Sequence, residues 1–273
     1  MSQKIYYMMK KLFSLVICVM AVLFVGCEPN APEVIGVFSV SETKQVTFSP
    51  GNLQYHPANN EWRFAQSQLD YIGEANSNCS SSYNGWLDLF GWSTSATHFG
   101  VSASNTSDDY FGDFVDWGTN KIDKDAPNTW RTLTNSEWEY VLLNRTNASS
   151  LCGIAQVDGV NGLILLPDSW TSPADVTFMA GFHRDLSVEA YSQYQTFTAA
   201  QWSKLEATGA VFLPAAGVRF GSVWDFKQSH SFCWSANTFN SAVACYLASG
   251  SRGAGMYSGY RSFGHSVRLV KDL

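Results

Sequence analysis

The stretch Trp130–Arg145, WRTLTNSEWEYVLLNR, decides the fold class. Thr134-Asn135-Ser136-Glu137 is a capping box, in which the Thr hydroxyl and the Glu carboxylate satisfy two otherwise unpaired backbone N–H groups. Trp138, Val141 and Leu142 follow at helical spacing, so a short helix with one apolar face begins here. A second box, Thr198-Ala199-Ala200-Gln201, opens another helix, with Trp202 and Leu205 on one face and Gly209 as its stop. The segments on either side are patterned for strands. Val46-Thr47-Phe48-Ser49 and Leu53-Gln54-Tyr55 alternate, and Pro57-Ala58-Asn59-Asn60 is a turn before Trp62-Arg63-Phe64-Ala65. Gly162–Pro167 reads as a buried strand and Val211–Leu213 as another. Asn76–Trp130 reads as irregular loops pinned by Trp86, Phe90, Trp92 and Trp117. Beyond Trp224 the chain offers short strand-and-turn signals. It closes on Ser266–Val270, where Val267 and Leu269 share one face of a half-buried strand. Two helices among strands, with no repeat and no internal linker, give one α+β domain over residues 36–273.

The first residues read as a targeting signal. Lys10 and Lys11 precede the apolar run Leu12–Val25, which has the length of a secretory core and is short for a membrane span. Leu23-Phe24-Val25-Gly26-Cys27 resembles a bacterial lipobox, which implies a signal peptide over residues 1–27 and lipid on Cys27. An ordinary signal peptide or an anchor helix is the plainer alternative. Residues 28–35, with Pro29 and Pro32, form a tether.

Composition narrows the function classes. A net charge of −6 offers no footprint for nucleic acid. The chain carries 10 Trp, 12 Tyr and 18 Phe, enough for a large core and for a recognition surface as well. After the signal, Cys79, Cys152, Cys233 and Cys245 remain. An exported chain can oxidise them, and buried free thiols are the alternative.

The segment Ser231–Val270 contains no Asp, Glu, Lys or Gln. Extended to Ser229, it has no Lys, Glu or Gln, whereas the rest of the chain holds 28. Roughly five would fall in this window at ordinary usage.

The blocks FSVSETKQVTFSPGNLQY, EWRFAQSQLDYIG, GWLDLFGWST, WRTLTNSEWEYVLLNR, VNGLILLPDSW, GAVFLPAAGVRFG and SVRLV together resemble a paralogous family of exported lipoproteins of gut bacteria. That family is similar to the C-type-lectin-like fold of formylglycine-generating enzymes and of the variable proteins of diversity-generating retroelements. The resemblance implies paired N- and C-terminal strands and an exposed ligand-binding face just before the closing strand. Retroelement mutation at adenines cannot create Lys, Glu, Gln, Met or Trp from codons such as AAC and TAC. The depleted window fits that restriction, with Trp234 and Met256 as fixed scaffold positions. A static Gly/Ser-rich end of a lectin-like domain is the other reading.

Either way, residues 229–265 are the binding segment. The expected ligand-binding residues are Ala236, Asn237, Thr238, Phe239, Asn240, Ser241, Tyr246, Ser249, Ser251, Arg252, Tyr257, Tyr260, Arg261, Phe263 and His265. Tyr and Phe supply rigid contact area, Ser and Asn adaptable hydrogen bonds, and Arg252 and Arg261 charged anchors. Trp234 reads as a core anchor, and Arg268 as the buried partner of a carboxylate. Substitutions at Thr238, Asn240, Ser251 and Tyr260 are expected to leave stability nearly unchanged.

Other chemistry finds weaker footing. Glu28-Pro29-Asn30 matches a sugar-and-calcium tripeptide of lectins but follows Cys27 directly. Asp108, Asp109, Asp113 and Asp116 cluster without EF-hand spacing, which suits a solvated turn or an Arg-pairing patch better than calcium. Formylglycine chemistry would need Cys233 and Cys245, twelve residues apart and without the expected Arg-Gly-Gly-Ser-Trp before them. No two of the five histidines have metal-ligand spacing, and no G-x-S-x-G elbow or phosphate loop is present. The expectation is a non-enzymatic outer-membrane lipoprotein facing outward, without cofactor or metal. It would bind a protein or glycan, contact the membrane through its lipid and make no use of nucleic acid. A pilus- or complex-associated subunit, whose last segment is an assembly interface, is the alternative of another class, and an unusual enzyme is a third.

Overall fold

The computed structural model describes residues 36–92, 103–104, 110, 112–181 and 195–273. The segments read as signal and tether, with Cys27 and Glu28-Pro29-Asn30, lie outside them. Strands β1 (Phe38–Ser39), β2 (Gln45–Phe48), β3 (Leu53–His56) and β4 (Glu61–Phe64) open the chain. β5 (Arg131–Thr132) leads into helix α1 (Asn135–Glu139), which continues as a π turn over Tyr140–Asn144. β6 (Cys152–Val157), β7 (Val160–Leu165) and β8 (Thr196–Phe197) precede helix α2 (Ala199–Glu206). β9 (Val211–Pro214), β10 (Val218–Phe220) and β11 (Val223–Asp225) follow. The long strands β12 (His230–Thr238), β13 (Val243–Gly250) and β14 (Gly253–Tyr260) come next, then β15 (Phe263–Gly264) and β16 (Leu269–Asp272). The fold is α+β, mostly sheet.

Both capping boxes form. Thr134 Oγ1 accepts from the Glu137 N–H at 3.2 Å, and Glu137 accepts from the Thr134 N–H at 2.8 Å. Thr198 and Gln201 repeat the arrangement at 3.2 and 2.9 Å. Glu137 also takes two bonds from Arg131, at 2.8 and 2.9 Å, and Arg131 reaches Asp272 at 2.7 Å. One guanidinium thus ties β5, α1 and β16 together.

An early and the last strand of the described residues share a sheet, since β16 pairs antiparallel with β2 and β5 in the order β1-β2-β16-β5. Beside it stands the sheet β8-β6-β7-β9. The apolar run in β7 follows from its position between two cores. Leu163 and Leu165 join Phe38, Phe48, Trp138, Cys233 and Leu247 on one side. Ile164 joins Trp202, Leu205 and Phe212 under α2 on the other. Strands buried on both faces lose the alternation of half-exposed ones. A third, aromatic core gathers Tyr55, Trp62, Phe90, Trp92, Trp117 and Trp234.

The structure differs from the sequence pattern at three places. The segment after Trp224 holds strands of eight and nine residues rather than short fragments. The closing strand runs from Leu269 to Asp272, with its first two residues buried and its last two exposed, and Ser266–Val270, read as half-buried, is buried at every position. Arg268 is fully buried, but its guanidinium donates to Gln68 Oε1 at 2.5 Å and to the Phe212 carbonyl rather than to a carboxylate. Gln68 in turn donates to Glu206 at 2.9 Å. An amide relays between the two charges.

The described part of the loops between residues 76 and 130 is stapled from within. Asp88, fully buried, accepts from the Ile72 N–H and from Asn76 Nδ2, both at 2.8 Å. Asn76 Oδ1 accepts from the N–H groups of Asp88 and Leu89. Burial outweighs these bonds and pushes the Asp88 carboxyl up to about 6. Phe90, Trp92 and Trp117 are buried, while Trp86 is half-buried beneath Arg63 at 3.7 Å. Asp116 is not an open carboxylate, and the Arg131 charge acts on it without a direct ion pair. It accepts from the N–H groups of Gly118 and Thr132 at 2.9 and 2.8 Å. Asp108 and Asp109 lie outside the described residues. Cys79, Cys152, Cys233 and Cys245 are free thiols.

Candidate functional site

The site is a meander, β12-β13-β14, paired antiparallel throughout. Side chains alternate across it. Cys233, Leu247, Met256 and Ala254 face the core shared with Trp138. The other face carries Phe232, Trp234, Tyr246 and Tyr257. The aromatic core covers part of this second face, at Trp234, Ala244 and Tyr246. The rest opens outward. One sheet therefore walls the core on one face and meets solvent on part of the other.

Rings run across the open face in contact. His230 stacks on Phe232 at 5.7 Å, Phe232 meets Tyr246 edge-on at 5.8 Å, and Tyr246 stacks on Tyr257 at 6.4 Å. Phe226 extends the row beyond His230, and Phe263 and Tyr260 flank it beside Phe220. Gly255 and Gly259 lie between the rings. A Cβ at Gly259 would crowd Tyr246 and Phe263 at 3.0 and 3.2 Å, whereas above Gly255 there is room. Strands β12, β13 and β14 contain no Asp, Glu, Lys or Arg. Burial lowers the His230 pKa, and burial with the neighbouring Tyr257 raises that of Tyr246, so the face stays uncharged near neutral pH.

The residues expected from sequence separate into three groups. Asn237, Thr238, Phe239, Asn240, Ser241, Arg252, Tyr257 and Tyr260 are exposed. Phe239 at 71%, Tyr257 at 59% and Tyr260 at 56% are large apolar surfaces left in water. Ala236, Tyr246, Ser251 and Phe263 are half-buried. Ser249, Arg261 and His265 are buried, and their side chains are structural. The Ser249 hydroxyl bonds that of Ser231. Arg261, expected as an anchor for ligand, instead donates to the carbonyls of Tyr110, Gly112 and Asn240 at 3.1, 3.3 and 3.0 Å and lies 4.5 Å over Trp92. His265 is the floor of the ring cluster, 4.3 Å from Trp234, 4.5 Å from Tyr246 and 5.0 Å from Phe232. Burial pushes its pKa down to about 3, and the nearby Arg219 charge acts in the same direction.

Two exposed residues also build structure. Asn240 Oδ1 accepts from the N–H groups of Ala242 and Val243, both at 2.9 Å, and so forms the β12–β13 turn. Asn237 Oδ1 accepts from the Asn135 N–H at the start of α1 at 2.7 Å. The expectation that Asn240 tolerates substitution is corrected on this ground. Phe220, Phe226, His230 and Phe232 were missed. The signal was there in the spacing of His230, Phe232 and Trp234 at every second residue, which marks one face of a strand.

Reactive chemistry has little to work with on this sheet. Burial pushes the Cys233 thiol up to about 12, so its thiolate is scarce. Among the described residues no group of three His, Cys, Asp or Glu side chains is placed to hold a metal ion. No helix among them is long and apolar enough to cross a membrane. The face offers ring surfaces, hydroxyls and amides for non-covalent contact. No protein-family model, curated protein or solved structure matches the chain.

Proposed function

We propose that this chain is a ligand-binding lipoprotein of C-type-lectin-like fold, displayed outward from the outer membrane. The observation that carries the reading is the uncharged row His230–Phe232–Tyr246–Tyr257, with Phe239, Tyr257 and Tyr260 standing in water. Aromatic groups pinned by a β-ladder give contact area at low entropic cost. Such faces suit the apolar face of a sugar ring or the apolar side chains of a protein. The paired terminal strands support the fold reading, and the lipobox at Cys27 supports the anchor. Diversification by a retroelement fits the residue usage of the segment. The scaffold positions Trp234 and Met256 point into cores, as fixed residues in such a segment would.

The test pairs two arms. Tyr246→Ala with Tyr257→Ala is compared with the unaltered chain on a glycan array and in capture of surface proteins. The expected result is a loss of at least about tenfold in whichever arm binds, as for truncated hot-spot aromatics. Binding that survives the double substitution rejects the face. For the anchor, Cys27→Ala should abolish incorporation of labelled palmitate in cells.

A further inference from the structure

The face is one surface of the meander, and its free edge is another. The Arg261 N–H donates to the Ala242 carbonyl at 3.0 Å, which fixes the phase of the β13–β14 ladder. Antiparallel pairing alternates, so Tyr257 and Gly259 turn their backbone groups toward β13. Ala254, Met256, Ser258 and Tyr260 turn theirs away, toward the outer edge. Among the described residues nothing bonds that edge. The opposite edge of the meander is treated differently. Trp234 donates to the Ser266 carbonyl, the Phe232 carbonyl accepts from Ser266, and Ala236 donates to the Leu133 carbonyl, so β12 is covered.

Edge strands usually carry a device against pairing: a charge, a proline, a bulge or short length. The sequence of β14, GAGMYSGY, has eight residues, no charge and no proline, and it pairs with β13 without a register shift. It is also complementary to itself. In an antiparallel pair with a two-fold axis at Tyr257, Ala254 faces Tyr260, Gly255 faces Gly259, and Met256 faces Ser258. Ala254 and Ser258 stand opposite the larger Tyr260 and Met256, and no like charges meet. Every outward N–H and C=O then finds a partner. The two copies of Tyr257 meet across the axis at a non-hydrogen-bonded position, where side chains approach most closely.

The geometry points to a second copy of this chain as the partner of the β14 edge, giving a two-fold dimer with one six-stranded sheet. The exposure of Tyr257 supports this, since the pairing covers it with its own symmetry mate. The inference does not rest on the ligand-binding reading, because the backbone groups of the edge carry it, although Tyr257 belongs to both surfaces. A dimer would set two such faces side by side.

The experiment uses the 273-residue chain in mild detergent, with oligomeric state read by light scattering and by non-reducing gel. Tyr257→Cys is expected to give a disulfide-linked dimer on mild oxidation, whereas Asp225→Cys, on another sheet, stays at the background set by the native cysteines. Ser258→Lys places two charges at the paired edge on an exposed residue and is expected to yield monomer with an unchanged melting temperature. A monomeric unaltered chain overturns the proposal. So does a dimer that persists in Ser258→Lys, cross-linking no greater at Tyr257→Cys than at Asp225→Cys, or an edge occupied by a different protein. Ligand binding retained by monomeric Ser258→Lys leaves the face reading standing, so the two fail separately.

Discussion

His265 and Asp88 are the two side chains whose burial has the most readable consequence. The fold holds the His265 imidazole neutral down to about pH 3, while an unfolded histidine takes its proton near 6.5. Between those values the unfolded chain binds more protons, so the stability contributed by His265 is lost as pH falls. Asp88 runs the other way. Its carboxyl keeps a proton up to about pH 6 in the fold and loses it near 3.8 when unfolded. Its contribution is therefore present at low pH and lost as pH rises through that window. Each slope is about 1.4 kcal/mol per pH unit, and the two oppose between about pH 4 and 6. Substitution separates them. Denaturant titrations from pH 6 to 4 should show Asp88→Asn losing stability on acidification relative to the unaltered chain, by about 3 kcal/mol. His265→Phe should gain by a similar amount. Parallel profiles for all three would refute the assigned burial. At the same scale Trp234, whose Nε1 donates to the Phe90 carbonyl, should cost about 3–5 kcal/mol as Trp234→Ala. Thr238→Ala and Ser251→Ala should fall within about 0.5 kcal/mol, and Asn240→Ala should cost more because the turn loses its acceptor.

Among the elements, the link between β1 and the turn after β7 is the most exposed to a single change. Asp168 accepts from the Ser39 N–H and hydroxyl at 2.8 and 2.7 Å and pairs with the buried Arg145 at 3.1 Å. Arg145 spends its other donors on the carbonyls of Val141 and Leu151. Asp168→Ala strands a buried guanidinium, and thermal or urea unfolding should register a loss of about 3–5 kcal/mol. Thr134→Ala removes one cap acceptor and should cost about 1 kcal/mol. A comparable effect from both would mean that the Arg145 charge is reached by water. Elements with local signals were legible in the sequence. The two capping boxes bond within four residues, and the Pro57–Asn60 turn is set by Pro57 and by the left-handed Asn60 at φ 52°. β12–β14 were read as fragments because Gly, Ser and Ala dominate them. Their length depends on neighbours across the sheet, which no local window contains.

For the whole molecule, the arrangement that matters is a sheet shared between a core and the solvent. Sequence depletion singles out the segment as uncharged but does not separate Tyr257, which faces water, from His265, which lies beneath the rings. Both sit in the same uncharged stretch, and tertiary packing alone distinguishes them. The same limit explains Arg261, whose acceptors at Tyr110 and Gly112 lie some 150 positions away in the chain. The division of labour leads to one direct measurement. Thr238, Phe239, Ser241, Tyr257 and Tyr260 are randomised together in the unaltered scaffold, and melting temperature and ligand profile are recorded for each variant. The account predicts melting temperatures within a few degrees of the parent and ligand profiles that change from variant to variant. Collapse of folding across the set, or binding indifferent to all five positions, would contradict it.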